Sequence, residues 1–246
     1  MSVIRIKIMA VAFDNVTMDE AVGYAMEQIQ SRSKCMVVTP NAEIAQACVT
    51  NDKLRDVVSR AGLVLPDGIG VIYASRILRR PLKGRVPGVE FGENLLSALR
   101  DTGKSIYFLG SKPGVSEEAA RRMQVKYPGL KVAGCHDGYF KEDSEAIEAV
   151  NAAHPDALFV CLGSPRQEYF IDEHFQELNA TLMVGLGGSL DVYAGKVERA
   201  PDIFIKLGLE WLYRLLKQPS RIGRMMKLPK FLLIVIKERL FGRKGK

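Results

Sequence analysis

The chain is poor in residues that advertise cross-linking or metal chemistry. Its four cysteines, Cys35, Cys48, Cys135 and Cys161, form no CxxC pair, and Cys35 and Cys161 sit inside apolar runs. That pattern fits free thiols in a reducing compartment and excludes a disulfide framework. The three histidines, His136, His154 and His174, show neither HxxxH nor HExxH spacing, which argues against a zinc site. There is no Walker A sequence and no DxD pair. The nearest approach to a dinucleotide fingerprint, Gly185-Leu-Gly187-Gly-Ser-Leu190, fails at its last position, where glycine is needed. Long apolar runs are also missing. The longest near the C-terminus, Phe231 to Ile236, falls far short of the ~20 residues that span a bilayer. The opening MSVIRIKIMA is too short and too charged for a signal peptide. The expectation is a cytoplasmic protein that does not cross a membrane.

What is present is an ordinary globular composition, 47% hydrophobic and 26% charged over 246 residues. That length suits one α/β domain with a short appendage. Charge is distributed unevenly. Residues 201–246 hold twelve Lys/Arg against three Asp/Glu, a surplus larger than the whole chain's net +7, so the first 200 residues are slightly acidic. A basic tail on a near-neutral body points to a polyanionic partner: an anionic membrane, a phosphate or nucleic acid.

Short apolar runs alternate with helix-like segments. Strands are expected at Cys35–Val38, Leu63–Leu65, Ser105–Leu109, Leu130–Ala133, Ala157–Leu162 and Thr181–Leu186, with a small strand within Val3–Val11. Helices are expected from about Asp19 (capped by Thr17), Ala42, Ile69, Val115 and Gln167. Continuously apolar strands separated by helices predict a Rossmann-like, mostly parallel sheet covered on both faces. From Pro201 onward only helices are expected, giving a catalytic α/β domain over 1–195 and a helical appendage over 196–246.

Ligands of such sheets bind at the carboxyl ends of the strands. Those ends are polar and glycine-rich: Thr39-Pro40-Asn41, Pro66-Asp67-Gly68, Gly110-Ser111, Asp137-Gly138-Tyr139, Gly163-Ser164 with Gln167, and Gly187-Gly188 with Asp191. Gly110, Ser111, Gly163, Ser164, Gly187 and Gly188 can bring backbone N–H groups to a phosphate, although each loop alone also reads as a tight βα turn. Asp67 at a strand end can act as a general base toward a sugar hydroxyl, or serve only as a turn residue. Thr39 and Asn41 suit sugar hydroxyls or a helix cap. Arg85 suits a phosphate or solvent. Asp137 and Asp191 can bind ribose or base, Tyr139 can stack on a base, and Gln167 can hydrogen-bond a nucleotide donor.

In the tail, Arg214, Arg221 and Arg224 are spaced seven and three apart, so that one helix would set them on one side to chelate a pyrophosphate, although Pro219 interrupts it. Met225 to Phe241 then alternates apolar residues with Lys and Arg, as an interfacial amphipathic helix does; a core or oligomer-interface helix is the competing reading. An apolar face this rich argues against nucleic acid.

Taken together, VVTPNAEI (37–44), LVLPDGIGV (63–71), RVPGVEF (85–91), YFLGSKPG (107–114), DGYF (137–140), LGSPRQE (162–168), GLGGSLDVYAGKVERAP (185–201) and LEWLYRLLKQPSRIGRM (209–225) resemble the WecG/TagA/CpsF family, glycosyltransferase family 26, in order and over nearly the whole chain. Arg166 stands where the family more often has lysine. The resemblance implies inverting, β-1,4 transfer of N-acetylmannosamine, or its uronic acid, from UDP to undecaprenyl-pyrophosphate-linked N-acetylglucosamine, for teichoic acid linkage units or other surface glycans. It implies no metal and no other cofactor. It places Asp67 as the base, Thr39, Asn41, Arg85 and Gln167 in the pocket, and Arg214, Arg221 and Arg224 as arginines that complete it. It also implies an appendage that docks on the inner face of the cell membrane and closes the pocket. The apolar tail itself leaves the oligomeric state open, since a tail that meets lipid can self-associate without it. The rivals are another UDP-hexose donor, a Rossmann-like oxidoreductase, which the broken glycine fingerprint disfavours, and a non-enzymatic membrane adaptor using the basic tail.

Overall fold

The computed structural model describes residues 4–201, 203–204, 208–217 and 227–241. Six strands form one parallel sheet: β3 (Cys35–Val38), β4 (Leu63–Val64), β5 (Ser105–Gly110), β6 (Lys131–His136), β7 (Ala157–Cys161) and β8 (Leu182–Gly185), in the spatial order β4-β3-β8-β7-β5-β6. The Rossmann-like, mostly parallel sheet expected from sequence is therefore present. After β3 the chain turns to one side of the sheet and after β5 to the other, and β7 and β8 fill the middle. Parallel sheets of this kind open a crevice where the winding reverses.

Alternation along each strand builds two cores. Met36, Val38, Tyr107, Leu109, Leu158, Val160 and Met183 face one side. Cys35, Val37, Ile106, Phe108, Ala157, Phe159, Leu182 and Val184 face the other. On the second face lie α1 (Met18–Ser31), α5 (Gly88–Leu99), α6 (Val115–Lys126) and the short α9 (Ser189–Tyr193). On the first lie α2 (Ala42–Thr50), α3 (Asp52–Arg60), α4 (Ile69–Ile77), α7 (Asp143–Ala153) and α8 (Arg166–Glu173). Thr17 caps α1 through a complete capping box with Glu20, as its sequence position suggested.

The N-terminal stretch differs from expectation. It is not one strand but a hairpin of β1 (Arg5–Ile8) and β2 (Val11–Asp14), turning at Met9, whose φ is +57°. Asp14 then fastens the hairpin to the sheet edge, accepting from Val64 N at 2.7 Å and Arg5 Nε at 3.0 Å.

The tail contributes α10 (Glu210–Lys217) and α11 (Lys227–Phe241). Two sides of α11 have opposite fates. Phe231 and Val235, four apart, are fully buried in the first core against α2 and α4. Leu233, Ile236, Leu240 and Phe241 are exposed. Close approach depends on Gly70 in α4: a Cβ there would stand 2.5 Å from Leu228 Cδ1 and 2.9 Å from Ala42 Cβ. Among the described residues beyond 196, helix is found at α10 and α11, residues 196–201 are non-helical, and α11 shares its core with the α/β domain.

Candidate active site

The strand ends are tied to one another in sequence across the sheet. At the β4 end, Asp67 N donates to Pro40 O at 3.3 Å, and Val86 N donates to Pro66 O at 2.9 Å. These two bonds bring the half-buried Asp67 beside Thr39-Pro40-Asn41 and beside the loop that carries Arg85. Thr39, buried at the end of β3, donates its hydroxyl to Gly185 O of β8 at 3.0 Å. Asn41 caps α2, its Oδ1 accepting from Glu43 N and Ile44 N. Of the two readings open for Asn41, the cap is therefore realised, and among the described residues its amide nitrogen makes no hydrogen bond.

The middle of the edge is built by Gln167 and the β8 turn. Gln167 is buried; its Oε1 accepts from Gly187 N at 2.9 Å and its Nε2 donates to Glu168 Oε1 at 2.8 Å. The Gly187 amide is thus spent on Gln167 and shapes the turn. Ser111 N is likewise spent on Cys161 O, while the Ser111 hydroxyl donates to Asp191 Oδ1 at 3.0 Å. Gly110 makes this junction sterically possible. Its φ is +128°, and a Cβ would stand 2.4 Å from Cys161 O. Burial pushes the Cys161 thiol up to about 12, so it is no nucleophile. The Ser164–Pro165 peptide beside Gly163 is cis.

At the β6 end, Gly138 N donates to Ser111 O at 2.8 Å and Gly138 O accepts from Arg166 Nη1 at 2.9 Å. Arg166 also lies over the Phe140 ring, 4.6 Å from its centroid. Asp137 closes a local turn by accepting from Tyr139 N at 2.7 Å, which leaves the Tyr139 ring 66% exposed. Tyr139 is therefore free to stack on a planar ligand.

Arg85 is held among acids. It pairs with Glu90 of α5 at 3.8 Å and with Glu210 of α10 at 3.5 Å, and Glu90 is also paired closely with Arg199. This cluster joins the body to the tail, and neither Glu90 nor Glu210 was singled out in sequence. Their signal is weak there: a lone acid near a helix start reads as a surface charge. Glu168 was missed for a similar reason, being masked as an ordinary helix acid although it is 1% exposed. Arg214 lies on α10, and Arg221 and Arg224 lie outside the described residues.

The expected residues therefore fall along one edge in strand order: Asp67, then Thr39 and Asn41, then Gly187, Gly188 and Asp191, then Gly163, Ser164 and Gln167, then Gly110 and Ser111, then Asp137 and Tyr139. Five strand spacings separate the extremes, roughly 24 Å at ~4.8 Å each. Asp67 and Tyr139 must serve opposite ends of any one ligand. Among the described residues, no group of three or more His, Cys, Asp or Glu is placed to hold a metal ion. Nor is any described helix long and apolar enough to cross a membrane.

Comparison with known proteins gives a consistent picture. The chain is similar to the N-acetylglucosaminyldiphosphoundecaprenol N-acetyl-beta-D-mannosaminyltransferase of Bacillus spizizenii, 40% identical over 201 residues, which is 82% of this chain and 78% of that protein. It is similar to the protein of the same name from Bacillus subtilis, 38% identical over 85% of this chain and 82% of that one. The counterpart from Staphylococcus aureus strain MW2 is 35% identical over 98% of this chain and 96% of its own length. The pattern of the glycosyl transferase WecG/TagA/CpsF family matches residues 6–245, and on that match the chain belongs to the WecG/TagA/CpsF family of glycosyltransferases.

Proposed function

We propose that the protein transfers N-acetylmannosamine from UDP to undecaprenyl-pyrophosphate-linked N-acetylglucosamine, forming a β-1,4 bond with inversion, in the synthesis of a surface-glycan linkage unit. The observation that carries this reading is the shared name of relatives matched over as much as 98% of the chain. The spread of the edge supports it. A UDP-sugar laid across the strand ends puts its base toward Tyr139 and its pyrophosphate over the β7 and β8 turns. Its sugar then reaches Thr39, Asn41 and Asp67.

Asp67 takes the proton of the acceptor 4-hydroxyl, and that oxygen attacks the anomeric carbon opposite the leaving UDP. Charge on the leaving pyrophosphate is met by Arg85 and the tail arginines Arg214, Arg221 and Arg224. Arg85 reaches it by sharing or exchanging Glu90 and Glu210. No divalent cation is needed. The basic tail and the exposed Leu233, Ile236, Leu240 and Phe241 rest on the anionic inner face of the cell membrane, where the acceptor lies.

The test is mass spectrometry of a reaction containing the protein, UDP-N-acetylmannosamine, a short-chain lipid-pyrophosphate-N-acetylglucosamine and EDTA. A disaccharide-lipid product is expected from the wild type. Asp67→Asn should reduce turnover by about 10³-fold or more while leaving UDP affinity nearly unchanged. Product only with the uronic acid donor would reassign the sugar, and a strict need for added divalent cation would overturn the metal-free mechanism.

A further inference from the structure

Two carboxyl groups are buried among the described residues, Asp14 and Glu168. Asp14 is accounted for by Arg5 and a backbone amide. Glu168 has no cation partner among the described residues. Its Oε1 accepts from Gln167 Nε2, the Ser164 side chain lies near the carboxyl, and its Oε2 is buried without a hydrogen bond. A half-satisfied acid costs stability that an apolar side chain of similar size would recover. Space-filling therefore does not explain it, whereas its hydrogen bond from Gln167 does.

That contact leads directly to the strand ends. The Gln167 amide packs against the β8 backbone so closely that a Cβ on Gly185 would stand 3.0 Å from Nε2. The opposite end of the same amide holds Gly187 N, and the Gly185 carbonyl receives the Thr39 hydroxyl. The acceptor on Glu168 decides which way the amide points: nitrogen to the acid, oxygen to the turn. Without it, Nε2 is buried unpaired, and the amide gains by turning away from Gly187. Burial pushes the Glu168 carboxyl up, against smaller opposing pulls from Gln167 and Ser164, which favours the uncharged acid in this cation-free place.

We propose that Glu168 is a positioning residue for donor binding, its buried carboxyl fixing the Gln167 amide so that Gln167 holds the Gly187 turn beneath the UDP pyrophosphate. The proposal rests on the reading of the strand ends as a UDP-sugar site.

Calorimetric titration with UDP tests it, together with thermal midpoints, on wild type, Glu168→Leu, Glu168→Gln, Gln167→Met and the double variant Gln167→Met/Glu168→Leu. Glu168→Leu should weaken UDP binding roughly tenfold while the midpoint holds or rises, a combination that a merely structural role would not give. Glu168→Gln keeps an acceptor oxygen and should stay within about threefold of wild type. Gln167→Met should match Glu168→Leu, and the double variant should be no worse than either single one. Wild-type UDP affinity in Glu168→Leu, or additive losses in the double variant, would overturn the proposal. Should Glu168→Leu fail to fold, Gln167→Met decides, because the connection runs through Gln167, and unchanged affinity there overturns it. Failure of the wild type to bind UDP would overturn the donor reading and this inference with it, whereas wild-type binding with an unaffected Glu168→Leu overturns this inference alone.

Discussion

The strand ends and the tail are held by different forces. Along the sheet edge each loop is tied to the next by hydrogen bonds: Pro40 to Asp67, Thr39 to Gly185, Gln167 to Gly187, Cys161 to Ser111 and Gly138 to Ser111, with Ser111 to Asp191 as a further tie. Among the described residues the tail meets the body through one face of α11, centred on Phe231 and Val235, and through the ion pairs of Arg85 with Glu210 and Arg199 with Glu90. A hydrogen-bonded edge is set once the strands are in register. An apolar face with an ion pair can be loosened without disturbing that register. The half of the site that would bind the donor is thus built into the sheet, and the half that would complete it is attached.

The largest structural blow to this division is expected from Phe231→Ala. It removes a fully buried ring from the α2, α4 and α11 contact and should cost about 3–5 kcal/mol in urea unfolding. If the tail is only attached, UDP affinity should survive; a parallel loss of UDP binding would erase the distinction. Next in size is the outward face of α11. Changing Leu233 and Leu240 together to Ser should strongly reduce binding to anionic liposomes, yet shift stability by no more than about 0.5 kcal/mol per site, since both are exposed. A large loss of stability would mean that this face is packed against protein. Thr39→Val keeps shape and deletes the hydroxyl that joins β3 to β8, and should cost about 1 kcal/mol in stability with a raised donor KM.

The smallest effect is one of pH. The folded-state pKa of Glu168 is raised, so the folded chain holds this proton more tightly than the unfolded chain does. Its contribution to stability is then fully present below the ordinary carboxylate range and is lost as pH rises through the raised value. The thermal midpoint of the wild type should fall over that window relative to Glu168→Gln, and identical pH profiles would refute the assignment.

Much of this was legible in the amino-acid sequence because short buried strands followed by glycine and polar residues leave a strong pattern. All six parallel strands, the Thr17 cap and the strand-end loops were readable in that way. The β1–β2 hairpin was not, because Met9-Ala10 carries no glycine, proline or asparagine to mark a turn, and a methionine takes the left-handed conformation there. The inward face of α11 was ambiguous, since Phe231 and Val235 lie among apolar residues on every side, and only packing against α2 and α4 shows that these two are buried. Nor could local sequence tell that Gln167 and Gly187, twenty residues apart, share a hydrogen bond. Pairing of that kind depends on β7 and β8 lying side by side.

The Gly138 peptide, gripped by Ser111 on one side and by Arg166 on the other, also bears on engineering. A loop clamped at both of its polar groups cannot be lengthened or grafted as a separate cassette, because any new backbone must still meet a carbonyl from the β5 turn and a guanidinium from α8. Attempts to change which ligand this edge accepts would do better to leave the backbone intact and vary single side chains that project from it, the exposed Tyr139 first.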